Sequence, residues 1–204
     1  ARKYIIETLG SGAAMFDYDL DGDIDLFIVQ GSQLEPLPGG IAPTGRLYEN
    51  DGSGRFKDVT AGSGVGIPFW GFGTAAGDFD NDGDADLLVT AWGPDHLFRN
   101  EGGGRFTDIS DQAGIADPRY GTSAAFLDYD GDSALDLYVA NYITFNPAVI
   151  PTNSDPNSPC TFRGLTVMCV PQGLPGADHA LYHNNGDGTF TDVSRESGLV
   201  REGD

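Results

Sequence analysis

The stretch that decides the fold is residues 73–91, GTAAGDFDNDGDADLLVTA, where an aspartate-rich loop separates two apolar segments. The segment before the loop contains only small residues. The segment after it is apolar on both faces, as expected for a strand buried between layers. The same pattern recurs at residues 12–30 and 121–141. Three copies of one pattern predict a structural unit that is repeated along the chain.

A second motif follows each copy of the first. It places a glycine-rich turn between two short segments that contain aromatic residues, which is typical of a β-hairpin. The copies are LYENDGSGRFKDVT at 47–60, LFRNEGGGRFTDIS at 97–110 and LYHNNGDGTFTDVS at 181–194. Together the two motifs predict four short strands in a unit of about 50 residues, which is the pattern of a β-propeller blade. The predicted fold is therefore all-β, with about three blades, and the small residues suit a strand crowded near the propeller axis.

The repeats divide one propeller segment, residues 1–204, into units at about 10–66, 71–116 and 121–200. The third unit carries an insertion at about 142–180 that includes the proline-rich stretch NPAVIPTNSDPNSPC. Cys160 and Cys169 lie in this insertion, with no histidine at zinc-site spacing. We expect them to form a disulfide, which would indicate an oxidising compartment. The alternative is a pair of free buried thiols.

The aspartate loops have the composition of calcium sites. Calcium prefers six to eight oxygen ligands at about 2.3–2.6 Å, and alternate residues of a curled loop can supply carboxylates. Acidic residues occupy loop positions 1, 3, 5 and 9, and position 7 can add a backbone carbonyl. The predicted ligands, for about three Ca²⁺ per chain, are Asp17, Asp19, Asp21, Asp23, Asp25, Asp78, Asp80, Asp82, Asp84, Asp86, Asp128, Asp130, Asp132, Ala134 and Asp136.

An EF-hand is excluded, because position 12 of these loops is Ile28, Val89 or Val139 instead of glutamate. The alternative is that the loops are only polar turns. It requires the same aspartate pattern to occur by chance at three equivalent positions of the repeat. The third loop departs from the pattern, since Ser133 replaces the glycine of position 6 and Gly131 occupies position 4. We therefore expect the third loop to lose its ion first.

The net charge of −20, from 31 acidic and 11 basic residues, excludes several partners. No basic patch is available for nucleic acid or for an anionic membrane surface. No apolar run approaches the roughly 20 residues that direct membrane insertion requires.

Four segments resemble FG-GAP/VCBS repeats: FWGFGTAAGDFDNDGDADLLVT, LYENDGSGRFKDVT, NNGDGTFTDVSRESGL and the cysteine insertion CTFRGLTVMCVPQGLPGADHALYHN. Within these repeats they are most similar to the cartilage-acidic-protein-like family, which is often joined to an ASPIC/UnbV domain. The resemblance implies a calcium-stabilised, usually seven-bladed propeller in a secreted or cell-surface protein, with the periplasm as a further possibility. Three blades would leave open edges, so closing the propeller requires additional sequence or other chains.

No motif in the sequence predicts catalysis. We expect structural roles for His96 and His179, and we expect His183 to be a surface residue of its hairpin. No G-x-S-x-G nucleophile motif occurs, and the metal loops account for most paired carboxylates. The sequence thus favours a noncatalytic scaffold or adhesion module that binds a protein or a glycan. The alternatives are a propeller-based hydrolase or lyase with structural calcium and a structural subunit of an extracellular assembly.

Overall fold

The computed structural model describes residues 5–32, 34, 43–146, 161–166 and 174–200. Within them the fold is all-β, and the helical elements are one 3₁₀ turn, Ile5–Thr8, and one short helix, α1, Ser110–Ala113. No described helix is long and apolar enough to cross a membrane. Cys160 and Cys169 lie outside the described residues, so their pairing stays a prediction.

Three antiparallel sheets of four strands form the fold, as predicted from the repeats. The first two sheets have their strands in chain order. The first contains β1 (Ala13–Phe16), β2 (Asp25–Ile28), β3 (Arg46–Asn50) and β4 (Phe56–Asp58). The second contains β5 (Gly71–Gly77), β6 (Asp86–Ala91), β7 (His96–Asn100) and β8 (Phe106–Asp108).

The third sheet has the same order, but its chain is interrupted by the insertion. It contains β9 (Gly121–Leu127), β10 (Asp136–Asn141), β13 (Ala180–Asn184) and β14 (Phe190–Asp192). The insertion contributes a separate hairpin, β11 (Thr161–Phe162) and β12 (Leu165–Thr166). Strands β10 and β13 pair directly, with Tyr138 opposite Leu181. The extra residues therefore leave the sheet intact.

The sheets stack face to face, and the second sheet lies in the middle. All six residues of β6 are buried. Leu87 and Val89 pack into a cluster with the first sheet, whereas Leu88 packs into a cluster with the third. This placement explains why the segment after the aspartate loop is apolar on both faces.

The first strands of the three sheets approach one another closely, which explains their small residues. The Gly12 amide donates a hydrogen bond to the Phe72 carbonyl oxygen across the first two sheets, with an N–O distance of 2.5 Å. A Cβ atom at Gly73 would lie 2.6 Å from the Thr122 carbonyl oxygen of the third sheet. Any side chain at these two positions would push neighbouring sheets apart.

Among the described residues, no other sheet covers the outer face of the first sheet. Met15 on β1 is 68% exposed and Ile28 on β2 is 38% exposed. In the second sheet, Val89 is equivalent to Ile28, and it is fully buried against the first sheet. The first sheet therefore exposes to solvent an apolar face whose equivalent is buried in the second sheet.

Candidate metal centre

Each aspartate loop connects the first and second strands of its sheet and brings three carboxylates together. In every loop these come from positions 1, 3 and 9, and one oxygen from each lies within 4.8 Å of the other two. The three triads are Asp17, Asp19 and Asp25; Asp78, Asp80 and Asp86; and Asp128, Asp130 and Asp136.

The carboxylate at position 1 holds the loop in its curled shape. In the second loop, the two oxygens of Asp78 accept hydrogen bonds from the amides of Asp82 (3.1 Å) and Gly83 (3.0 Å). Asp17 does the same in the first loop with the amides of Asp21 and Gly22. The loop backbone is thus arranged around a carboxylate that also faces the centre of the triad.

The carboxylate at position 9 joins the loop to the third strand of its sheet. Asp86 is fully buried, and its oxygens accept hydrogen bonds from the amides of Phe79 (3.0 Å) and Asn100 (2.8 Å). Burial raises the pKa of Asp86 to about 7, although these two hydrogen bonds lower it. In the first loop, the amides of Tyr18 and Asn50 donate the equivalent hydrogen bonds to Asp25. In the third loop, the amides of Tyr129 and Asn184 donate them to Asp136.

The asparagines at the ends of these third strands are functional residues that the sequence reasoning missed. Besides its backbone contact, the Asn100 side-chain amide donates hydrogen bonds to the Tyr18 and Ala85 carbonyl oxygens, at 2.8 and 3.2 Å. Tyr18 belongs to the first loop, so this amide connects two metal loops. The signal was present, because LYEN, LFRN and LYHN place an asparagine at the same point of each repeat.

At position 3, the electrostatics favour a bound cation. The Oδ1 atom of Asp19 is enclosed and accepts no hydrogen bond. Burial and the neighbouring Asp21 carboxylate raise the pKa of Asp19, and burial and Asp82 raise that of Asp80. An enclosed carboxylate oxygen close to two other carboxylates fits a divalent cation with oxygen ligands.

Positions 5 and 7 contribute to the loops differently from the triads. The carboxylates of Asp21, Asp82 and Asp132 each accept a hydrogen bond from the amide of position 7. The side chain of Asp23 faces the next hairpin, since a Cβ atom on Gly52 would lie 2.5 Å from its Oδ2. The structure therefore gathers positions 1, 3 and 9 in every loop and leaves Asp21, Asp23, Asp82 and Asp84 outside the triads. A backbone carbonyl ligand at position 7 stays a prediction.

The third loop keeps the backbone shape of the other two despite its different sequence. Positions 4 and 6 are left-handed in the second loop, at Asn81 (φ 57°) and Gly83 (φ 98°). They are also left-handed in the third, at Gly131 (φ 82°) and Ser133 (φ 75°). Each loop thus has one glycine and one other residue in this conformation. The missing position-6 glycine therefore gives no reason for the third loop to lose its ion first.

The three histidines have different surroundings. His96 pairs through Nδ1 with Asp108 at 2.8 Å, and His179 Nδ1 accepts a hydrogen bond from the Asn141 amide at 3.1 Å. Both arrangements support the predicted structural roles. His183 is more than a surface residue of its hairpin, because its side chain is only 30% exposed and its Nδ1 lies 3.3 Å from Asp130 Oδ2. Sequence spacing could not place it there, since the insertion separates it from the loop.

Comparison with known families agrees with this geometry. A family model described as FG-GAP-like repeat matches residues 17–89 and 78–139, which together span more than half of the 204 residues. The chain belongs to the FG-GAP-like repeat family. The matched residues contain all three aspartate loops. A comparison with curated proteins gave no match.

Proposed function

We propose that this FG-GAP-like chain is a calcium-binding scaffold in which the ions stabilise the fold. The observation that carries the proposal is the position-9 aspartate, which belongs to a carboxylate triad and also accepts the amide of the third strand's last residue. A cation at the triad would therefore hold the loop and the sheet together. The hard oxygen donors of the triads suit Ca²⁺.

The chain's own residues define what each site does. In the second loop, Asp78, Asp80 and Asp86 would hold the ion, and a bound Ca²⁺ would supply the positive charge that balances their carboxylates. Asn100 would keep Asp86 oriented through its backbone amide. Without a cation, three converging carboxylates repel one another, which favours protonation or opening of the loop.

At a finer level, we propose a noncatalytic adhesion or binding scaffold that is extracellular or at the cell surface, with the periplasm as an alternative. The similarity of its repeats to the cartilage-acidic-protein-like, ASPIC/UnbV-associated family supports this assignment and a seven-bladed propeller. The exposed Met15 and Ile28 support the idea that a further blade, from additional sequence or another chain, covers the first sheet. A Cys160–Cys169 disulfide would fit such a location.

A pocket near the start of the insertion supports a glycan as one candidate partner. Its volume is about 360 Å³, and its lining includes Trp92, Tyr120, Phe145 and Arg119. Pockets lined by aromatic and polar side chains suit a ligand that has both apolar and hydroxylated parts. Asp178 is the one carboxylate among the described lining residues. The pocket therefore supports binding more than a glycosidase reaction, which requires two carboxyl groups.

Metal removal tests the proposal. A ligand that binds only the folded form at tenfold excess over its Kd contributes about 1.4 kcal/mol per site. We therefore expect about three Ca²⁺ per chain by metal analysis in buffers free of transition metals, and a marked fall in Tm when a chelator is added. Magnesium, which dehydrates reluctantly and prefers a rigid octahedral site, is the matched control ion and should restore Tm less well.

An unchanged Tm after verified loss of the ions would contradict the structural role. If the chelator instead abolished a catalytic activity without changing Tm, the hydrolase or lyase alternative would be preferred.

A further inference from the structure

The three metal loops differ at one position of the neighbouring third strand. This position directly precedes the asparagine that binds the position-9 aspartate, and it has the same register in each hairpin. The residue is an acid in the first unit, a guanidinium in the second and an imidazole in the third. These residues are Glu49, Arg99 and His183, paired with Lys57, Thr107 and Thr191.

The imidazole of His183 points at the carboxylates of the third loop. Its Nδ1 lies 3.3 Å from Asp130 Oδ2 and 3.3 Å from Asp136 Oδ1. This nitrogen is enclosed and makes no hydrogen bond, although both oxygens are near. Asp130, Asp132 and His183 place one ligand atom each within 4.8 Å of the others, which gives the third loop a mixed nitrogen–oxygen group besides its carboxylate triad.

The separation of His183 Nδ1 and Asp130 Oδ2 suits two ligands of one metal ion. Zinc binds nitrogen and oxygen ligands at about 2.0–2.2 Å in a tetrahedral arrangement, so two of its ligands lie about 3.3–3.6 Å apart. An enclosed ring nitrogen beside carboxylate oxygens, without hydrogen-bond geometry, is an arrangement that a shared cation explains.

We propose that the third loop holds a first-row transition-metal ion of the zinc class through His183, Asp130 and Asp132, while the first two loops hold calcium. Imidazole is a ligand for zinc and its neighbours, whereas calcium takes oxygen ligands. At the equivalent position, Glu49 is an oxygen donor that pairs with Lys57, and Arg99 cannot ligate a metal. The inference rests on the proposed function, because it assigns a different ion to one of the same loops.

The two groups of the third loop share one ligand, so the number of bound calcium ions can be predicted. Asp130 belongs both to the calcium triad and to the histidine group. One ion at the histidine group would therefore compete with calcium at the third loop. Filling this site should lower the bound calcium from three ions to two per chain.

Cobalt is a suitable probe, since it takes zinc-like ligands and absorbs visible light. The full chain, without an affinity tag, would be stripped of metal, equilibrated with excess Ca²⁺ and titrated with Co²⁺. We expect one Co²⁺ per chain, release of one Ca²⁺, and displacement of the cobalt by an equivalent of Zn²⁺. Displacement of cobalt by Ca²⁺ at equal concentration would overturn the proposal.

Variants assign the site to His183. His183→Gln should weaken Co²⁺ binding by at least about tenfold, a loss typical of a disturbed metal site. His183→Glu, which copies the first unit, should keep calcium at all three loops. His179→Gln removes an imidazole outside the loops and should bind Co²⁺ like the parent chain. Arg99→His should create a second Co²⁺ site in the second unit.

Two outcomes separate this inference from the proposed function. Unchanged Co²⁺ affinity in His183→Gln would overturn the inference, even if calcium still raised Tm in that variant. A parent chain whose Tm does not respond to calcium would contradict the proposed function. In that case, loss of Co²⁺ binding in His183→Gln would still support a transition-metal site. The calcium response of His183→Gln also verifies that the variant is folded.

Discussion

The second and third units have the same loop geometry but reach it with different sequences and in different surroundings. The second loop has glycine at position 6 and Asn81 at position 4, and the third has Gly131 at position 4 and Ser133 at position 6. All four residues are left-handed. What the two loops share is therefore a pair of backbone conformations, and a single glycine at either position is compatible with the fold.

The surroundings differ more than the loops do. The second sheet is packed between the other two, whereas the third packs against only one described sheet. Asp95 and His179 occupy equivalent places before the third strand of their units, since each accepts a hydrogen bond from the last residue of the second strand, Ala91 or Asn141. Asp95 is only 1% exposed, whereas His179 is exposed. The same place of the repeat is thus buried in the interior unit and exposed in the terminal one.

Removing the position-9 carboxylate should have the largest effect in both units. Asp86→Ala would leave two buried backbone amides without an acceptor, and Asp136→Ala would leave one buried and one half-buried amide. Each buried amide left unpaired costs about 1–3 kcal/mol. We expect losses of roughly 3 kcal/mol or more, measured by urea unfolding in saturating calcium. Asp111→Ala, at an exposed aspartate outside the loops, is the control. A small loss at Asp136 beside a full loss at Asp86 would show that the two loops are not equivalent.

The side-chain amides that connect the units should come next. Asn100 donates to Tyr18 in the first unit, and Asn184 donates to Phe79 in the second, each at 2.8 Å. Asn50 donates to Ile24 of its own unit. Alanine at any of the three keeps the backbone amide that binds aspartate. We expect losses of about 2 kcal/mol for Asn100 and Asn184 and about 1 kcal/mol for Asn50, by urea unfolding. Equal losses at all three asparagines would argue against the idea that the Asn100 and Asn184 side chains join neighbouring units.

The buried Asp95 should make the stability of the second unit depend on pH. Burial raises the pKa of Asp95 well above its ordinary value, although the Ala91 amide lowers it, and its Oδ2 has no hydrogen-bond partner. When folding raises the pKa of a carboxyl group, the protonated group contributes fully to stability at pH values below its pKa in the unfolded chain, which is near 4. This contribution is lost as the pH rises towards the pKa of the folded protein.

Asp95→Asn removes this ionisation. In saturating calcium, we expect the variant to match the parent chain near pH 4 and to exceed it by about 1 kcal/mol near pH 8, by urea unfolding at each pH. A parent chain that gains stability relative to Asp95→Asn as pH rises would contradict the assigned direction.

Much of the fold could be predicted from the sequence because the repeat makes each local pattern visible three times. The small residues of β5 and the two-sided apolar pattern of β6 follow directly from their places between sheets. The carboxylates of positions 1, 3 and 9 could also be predicted, since their spacing alone brings them to one side of a curled loop.

The missed features depend on contacts between distant segments. Asn100 reads as an ordinary turn residue until the pairing of β6 with β7 places its amide beside Asp86. His183 is separated from its loop by the insertion, and only the pairing of β10 with β13 brings it near Asp130. The left-handed conformation at position 4 could not be predicted for another reason: the sequence gives residue types, whereas this conformation becomes visible only in the backbone.

Exchanging the glycine between positions 4 and 6 should have the smallest effect and tests the comparison most directly. Gly83→Ser alone puts two residues other than glycine in left-handed conformations, so we expect a loss of about 1 kcal/mol. The double variant Asn81→Gly/Gly83→Ser has the glycine arrangement of the third loop and should regain most of that loss in urea unfolding. If the double variant were as unstable as Gly83→Ser, position 6 would require glycine in the second loop for a reason other than backbone conformation. The two loops would then differ in more than where their glycine lies.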